Sequence, residues 1–292
     1  PNIGMLSVYS PSSMSKMDGS QIGFAIVDID EEILEGEFAN FNYSRTDNLF
    51  TKTSSIPVSI PVNKDKKDQI DLIKALKNAF EKELIEANDL LVSDDLFSPG
   101  NFLKLFSKPI LKTKSKTQSI KDKKDSKNVE VKDLFNNNYI IYGKDKSGKT
   151  SLLRKIELEL LRDYKFNETI PLYFDFKGVE LDKLNSFKVL KNLLGLSNNK
   201  TNRVLEEGNF TLLIDNFNPE KKAHIETFNK IGESLNLKSF VLTCEETLTS
   251  SLEKVEINAT YNKLFLHYLT RTEIRNHTNK WLDDNSKSEQ QE

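Results

Sequence analysis

Apolar and polar positions alternate in the N-terminal part of this chain, recur at three- and four-residue steps in the next part, and then switch repeatedly between the two spacings. In residues 21–30 (QIGFAIVDID), Ile22, Phe24, Ile26 and Val27 follow a near period of two. Residues 33–41 (ILEGEFANF) supply a second run after an acidic stretch, which predicts a β-hairpin. Residues 56–62 (IPVSIPV) carry Pro57 and Pro61, so an edge strand or an extended linker is expected there. From Asp68 the apolar stripe Ile70, Ile73, Leu76, Phe80, Leu84 and Ala87 marks one face of a helix reaching about residue 91. Asp68 stands where an N-cap would, and Asp71 places negative charge in the first turn, where the helix dipole favours it. The charged face of this helix is expected to be solvated.

Beyond residue 128 the spacing predicts strands at 139–142, 170–176, 211–214, 240–243 and 263–268, with helices at 152–161, 187–196, 219–235 and 272–282 between and after them. Such alternation implies an α/β fold: a mostly parallel sheet with helices on both faces, preceded by a small β segment and a long linker helix. The expected domains are a β segment over 1–62, a linker helix over 63–95, an α/β domain over 96–283 and a polar, frayed tail over 284–292. Residues 112–127 (KTKSKTQSIKDKKDSK) have Ile120 as their single aliphatic side chain and read as a flexible lysine-rich loop, because they cannot bury enough apolar surface to offset ordering.

Composition narrows the function classes. The 292 residues contain 42 Lys plus Arg against 44 Asp plus Glu, a net charge of −2, which disfavours a nucleic-acid coat. The single cysteine, Cys244, excludes a disulfide framework and fits a reducing, cytoplasmic setting. No apolar run approaches the ~18–20 residues of a membrane helix, and no signal peptide is evident. A first residue of proline suggests a piece of a longer protein.

Residues 143–150 (GKDKSGKT) match the phosphate-loop pattern G-x-x-x-x-G-K-[ST] in full, between the apolar strand NNYIIY and the amphipathic helix SLLRKIELELL. In that setting Gly143 and Gly148 allow the turn and close backbone approach, and the backbone of Lys144, Asp145, Lys146, Ser147 and Ser151 would surround a phosphate at a helix N-terminus. Lys149 would reach the β- and γ-phosphates, and Thr150 would offer its hydroxyl to Mg²⁺. The second element is residues 211–215 (TLLID), an apolar strand ending in Asp215, the form of a Walker B acid that holds Mg²⁺. Asn216 follows where a second acid often activates water, and an amide cannot take the proton, so slow hydrolysis is expected.

Thr243, at the end of FVLT, either senses a γ-phosphate or simply closes a buried strand. Cys244 reads as a small buried hydrophobe. Asp175 is expected to serve structure rather than ligand, and Arg271 and Arg275 are minor candidates for phosphate sensing. His224, His267 and His277 show no metal spacing, and His277 is expected to be partly exposed on its helix. The nearest string to the guanine-specific N-K-x-D motif begins at Asn63, ahead of the phosphate loop, which disfavours a GTPase.

The succession GKDKSGKTSLL, IPLYFDF, TLLIDNFN, SFVLTCEE and FLHYLTRTEIRNHTNKW resembles the STAND class of signal-transduction ATPases, the NACHT-like branch of P-loop proteins, over about residues 96–283. The resemblance implies ATP and Mg²⁺ as cofactors and a nucleotide-driven switch between closed and assembled states, with protein partners or self-assembly. It also implies that the Thr243 strand lies between the phosphate-loop strand and the Asp215 strand. Two departures stand out: Asn216 for a second acid, and Glu245 where an arginine often follows the sensor threonine. Upstream, SVYSPSSMSKMDGSQIGFAIVDID is similar to the last strands of calcineurin-like metallophosphoesterases, and FSKPIL resembles a stretch found before the phosphate loop of proteins that join the two domains. No D-x-H, G-N-H-D or G-H-x-H string is present, so the metal ligands of such an enzyme are missing from this chain.

These readings converge on a Mg²⁺-dependent, ATP-binding and slowly hydrolysing regulatory module of a signalling or defence protein. The alternatives are a non-catalytic P-loop scaffold and a small-molecule kinase. No membrane and no specific nucleic-acid partner are expected.

Overall fold

A computed structural model describes residues 3–7, 23–30, 33–44, 46–60, 62, 64–89, 102–118, 127–178, 180–252, 257 and 259–288. The chain forms two compact units, Pro1–Ala75 and Leu76–Glu292, divided inside the long helix. The first contains an antiparallel sheet of β1 (Ile3–Ser7), β2 (Gly23–Asp30), β3 (Glu35–Ser44) and β4 (Leu49–Ser59), paired in that order. β2 and β3 are the expected hairpin, with Phe24 opposite Phe41 and Ile26 opposite Ala39. β4 begins well before residue 56, through LFTKTSS, which has no apolar alternation to reveal it; its ladder with β3 and its β-branched threonines hold it extended. Its edge position accommodates Pro57.

The long helix α1 spans Lys64–Asp89. It starts four residues ahead of Asp68, which lies inside the helix rather than at its N-cap, because the lysine-rich segment before it contains good helix formers and no breaker. The expected stripe is buried at Ile70, Leu76 and Ala87, while Phe80 and Leu84 pack on a cluster formed by Ala87, Phe102 and Leu158. Glu83 departs from the solvated-face expectation: it is buried.

The second unit is built on a seven-stranded sheet of order β6-β5-β11-β7-β10-β9-β8. Five strands run parallel: β7 (Tyr139–Gly143), β8 (Ile170–Asp175), β9 (Phe210–Asp215), β10 (Leu237–Glu245) and β11 (Asn262–His267). Two short strands, β5 (Ile110–Lys112) and β6 (Asn128–Val129), extend the sheet antiparallel beyond β11. They are too short for a period to predict. β10 lies between β7 and β9, which places the Thr243 strand as the family resemblance implied.

The longer helices of this unit are α2 (Lys149–Arg162), α3 (Ser186–Leu194), α4 (Asn198–Glu207), α5 (Lys222–Glu233) and α6 (Arg271–Ser288). Leu152, Leu153, Ile156 and Leu160 of α2 share a core with Ile141, Leu213, Val241 and Leu264. On the opposite side of β10, Phe240 meets Phe228 of α5, with ring centroids 5.2 Å apart. Neighbours on a strand face opposite ways, so helices cover both faces, and strands buried on both sides read as unbroken apolar runs.

Several boundaries differ from the sequence reading. α4 was not expected, since its apolar side chains are few; Thr201, buried within it, donates to the Ser197 carbonyl at 3.0 Å. β10 continues past Thr243 to Glu245. α6 runs on to Ser288, through residues expected to fray, because nothing in that stretch is a helix breaker. The lysine-rich loop is ordered where it begins: Ser115 is buried and exchanges hydrogen bonds with Gln118, at 3.1 and 3.2 Å. Residues 119–126 of that loop lie outside the described residues, as do 63 and 90–95 of the linker-helix expectation. Among the described residues, no helix is long and apolar enough to cross a membrane.

Candidate functional site at the phosphate loop

The site lies at the C-terminal edge of the parallel strands, where open α/β sheets gather their ligands. Gly143 ends β7, and the chain turns through Lys144, Asp145, Lys146, Ser147 and Gly148 into α2. A Cβ on Gly143 would fall 2.5 Å from Ser147 Oγ and 3.1 Å from Lys149 Cγ, so only glycine leaves the loop this compact. Gly148, the N-cap, adopts φ +94°, in the left-handed region that glycine enters without penalty. Lys144, Asp145 and Lys146 are exposed, Ser151 is half-buried, and Ser147 Oγ is buried with no hydrogen-bond partner among the described residues.

Lys149 is buried, and all three ammonium protons are engaged. It donates to the carbonyls of Gly143 (3.0 Å) and Lys144 (2.8 Å) and to Glu245 Oε1 (2.8 Å). Thr150 Oγ1 donates to Asp215 Oδ2 at 2.6 Å. Thr243 Oγ1 donates to Asp215 Oδ1, and the Asn216 N–H reaches Asp215 Oδ1 at 3.0 Å and Thr243 Oγ1 at 3.3 Å. Sheet order explains the convergence: Thr243 is opposite Ile141, and Leu242 is opposite Ile214, so Thr150, Asp215 and Thr243 meet at one strand edge. Thr243, itself buried, thus hydrogen-bonds the buried carboxylate.

Behind Asp215 stands a layer that the sequence reading missed. Tyr173 on β8 donates its hydroxyl to Asp215 Oδ2 at 3.3 Å, and the Arg154 guanidinium lies 3.9 Å from the Tyr173 ring centroid. Arg154 in turn pairs with Glu157 at 2.7 Å and Glu83 at 2.9 Å. Burial, reinforced by the Asp215 charge, pushes the Tyr173 phenol up, which keeps it protonated as a donor. Burial pushes the Glu157 carboxyl up to about 7; Arg154 pulls it down and Glu83 adds repulsion. Glu83 is raised by burial and then by Glu86, with Arg154 opposing. A signal was present in IPLYFDF, where period two sets Tyr173 and Asp175 on one face, but no local pattern names Arg154 as the ring's neighbour.

Asn216 adopts φ 57°, and its side-chain amide donates to Asp175 Oδ1 at 2.8 Å. The amide is thus turned towards β8. Asp175 also accepts from the Lys177 N–H at 2.8 Å. A cavity of about 290 Å³ opens beside the loop, lined among others by Asp145, Lys149, Asn216, His224, Cys244 and Glu245. His224 Nδ1 accepts from the Asn218 N–H at 3.1 Å, and burial, then Lys221, lowers its pKa, so the ring is neutral. Cys244 is buried; burial and then the Glu245 charge push its thiol up to about 12, which leaves it unreactive. Arg271 and Arg275 are exposed on α6 and do not line this cavity. His277 is half-buried and engages the Leu105 carbonyl at 3.0 Å and Ser107 Oγ at 2.9 Å.

The donor set suits a phosphate with Mg²⁺. Two hard oxygens, from Thr150 and Asp215, lie together, and Mg²⁺ takes few protein ligands because it keeps waters and uses phosphate oxygens. Lys149 and the unpartnered Ser147 hydroxyl face the same loop. No cluster of three or more His, Cys, Asp or Glu side chains placed for a metal occurs among the described residues.

A strand–GKDKSGKT–helix junction in a parallel sheet of order β11-β7-β10-β9-β8 defines a P-loop NTPase fold. No family model matches the chain, and no curated protein matches it. Among solved structures, it is similar to the ORC1 protein of Aeropyrum pernix in complex with DNA, at 17% identity and a TM-score of 0.34, over 50% of this chain and 44% of that one. It is also similar to C. elegans PCH-2, at 14% identity and a TM-score of 0.25, over 47% of this chain and 37% of that one. A third is the Drosophila ORC bound to GC-rich DNA and Cdc6, at 10% identity and a TM-score of 0.33, over 82% and 39%. The chain thus spans less than half the length of each. Likeness at this level assigns it neither a ligand nor a partner.

Proposed function

We propose that this chain is a Mg²⁺-dependent, ATP-binding and slowly hydrolysing regulatory module of STAND type, from a protein that joins it to a metallophosphoesterase. The observation that carries the nucleotide reading is the meeting of Thr150, Asp215 and Thr243 beside the Lys149 ammonium, at the N-terminus of α2. The STAND and phosphoesterase assignments rest on the motif succession and the upstream strand pattern.

In this reading the loop backbone and Lys149 bind the phosphates, and Thr150 and Asp215 hold Mg²⁺, which would neutralise phosphate charge. Thr243 and Tyr173 fix the orientation of Asp215. Asn216 contributes no base, because it has no basic atom and its amide is committed to Asp175. Turnover is accordingly slow, and the nucleotide serves to set a conformational state. The chain would act in the cytoplasm, through protein partners or self-assembly.

Titration of Mg-ATP into the purified chain tests the reading. Lys149→Ala is expected to weaken binding at least about tenfold, the loss of a charge-assisted phosphate contact. Equal affinity in the variant and the parent would overturn it, and support the scaffold alternative.

A further inference from the structure

We propose that Glu245 is a nucleotide-selectivity latch, which competes with the γ-phosphate for Lys149 and biases the site toward nucleoside diphosphate over triphosphate. The proposal rests on the nucleotide reading above, and concerns a residue to which that reading gives no role.

An ammonium group has three donors, and Lys149 has already filled all three, with the Gly143 carbonyl, the Lys144 carbonyl and the Glu245 carboxylate. A phosphate oxygen can bond this ammonium only by displacing one partner. The two carbonyls belong to the loop backbone. Glu245 is the replaceable one: its side chain is 44% exposed and has room to swing out. It is also the partner whose charge resembles that of a phosphate.

The carboxylate is delivered there by the sheet. Glu245 is the last residue of β10, two beyond Thr243, and its Cα is paired with that of Gly143. It also lines the cavity beside the loop, with Asp145 and Asn216. A diphosphate brings one fewer anionic group to this corner, so it competes less with the carboxylate for Lys149. A triphosphate must move it and is then repelled by it, since like charges at such distances disfavour each other.

Equilibrium titrations of the full chain with Mg-ADP and Mg-ATP, in the parent and in Glu245→Gln, test this. Glutamine keeps size and an acceptor oxygen but removes the charge, and the half-exposed position leaves the fold intact, which thermal unfolding followed by circular dichroism verifies. The parent is expected to bind ADP more tightly than ATP. In Glu245→Gln, ATP affinity is expected to rise about tenfold, and ADP affinity by no more than about threefold, so the preference narrows or reverses. If the parent binds nucleotide but Glu245→Gln leaves ATP affinity unchanged, or raises both affinities equally, the latch is wrong while the nucleotide site stands. If neither the parent nor Glu245→Gln binds nucleotide, the nucleotide reading fails and the latch falls with it.

Discussion

Replacing Arg154 with methionine removes the one cation shared by Glu157, Glu83 and, at 3.8 Å, Glu86, while keeping much of the apolar stem. Glu86 is 47% exposed, so its share is screened and small. Glu157 and Glu83 are buried, and stripping the partner from a buried carboxylate that stays ionised costs about 3–5 kcal/mol; Glu83 keeps Lys82 at 3.7 Å, and Glu157 limits its own cost by taking up a proton. The cost should depend on pH with a definite sign. Glu157 is held at about 7 against an ordinary 4.5, so the folded chain keeps that proton over a range where the unfolded chain has lost it. Its contribution is therefore fully favourable below about 4.5 and is lost as pH rises through about 7, a decline of about 3 kcal/mol. Without Arg154 both carboxyls shift higher still, and the decline extends to higher pH. Urea unfolding followed by far-ultraviolet circular dichroism, across a pH series, is expected to show the gap between parent and Arg154→Met widening as pH rises from about 5 to about 8, by roughly 1 kcal/mol through Glu157, whose carboxyl is already half neutral at about 7, and further through Glu83. The double variant Arg154→Met/Glu157→Gln should recover much of the loss. A difference that is constant with pH, or that grows as pH falls, would refute the electrostatic account and leave only lost packing.

Two further outcomes follow from the loop and its neighbours. Asn216→Asp would set a second carboxylate at the position now 2.8 Å from Asp175 Oδ1, so it should lower stability at neutral pH by roughly 1–3 kcal/mol, an effect relieved by acid; equal stability at all pH values would show that the side chain simply rotates away. Gly143→Ala would force a Cβ against Ser147 Oγ and Lys149, so phosphate-dependent thermal stabilisation should vanish while the sheet remains folded; retained stabilisation by Mg-ATP would mean that the loop adapts.

The alternation of apolar spacing along the chain was enough to predict the five parallel strands, the helices on both faces and the β2–β3 hairpin, because strands buried on both sides and amphipathic helices have local signatures. GKDKSGKT on a strand–helix junction and TLLID were legible for the same reason: the loop depends on glycine conformations and near-neighbour backbone groups. Local pattern could not reveal β5 and β6, which are too short for a period, or the start of β4, which its neighbour holds extended. Nor could it tell where Asn216 would point or which partner each charge would find. Lys149 meets Glu245 across 96 residues, Arg154 meets Glu83 across 71, and Tyr173 meets Asp215 across 42. Those pairings arise only when β10 lies beside β7, β8 lies beside β9, and the second half of α1 lies against α2. Spacing in sequence determined that this chain carries a phosphate loop; the order of strands in space decided which carboxylate sits on its lysine.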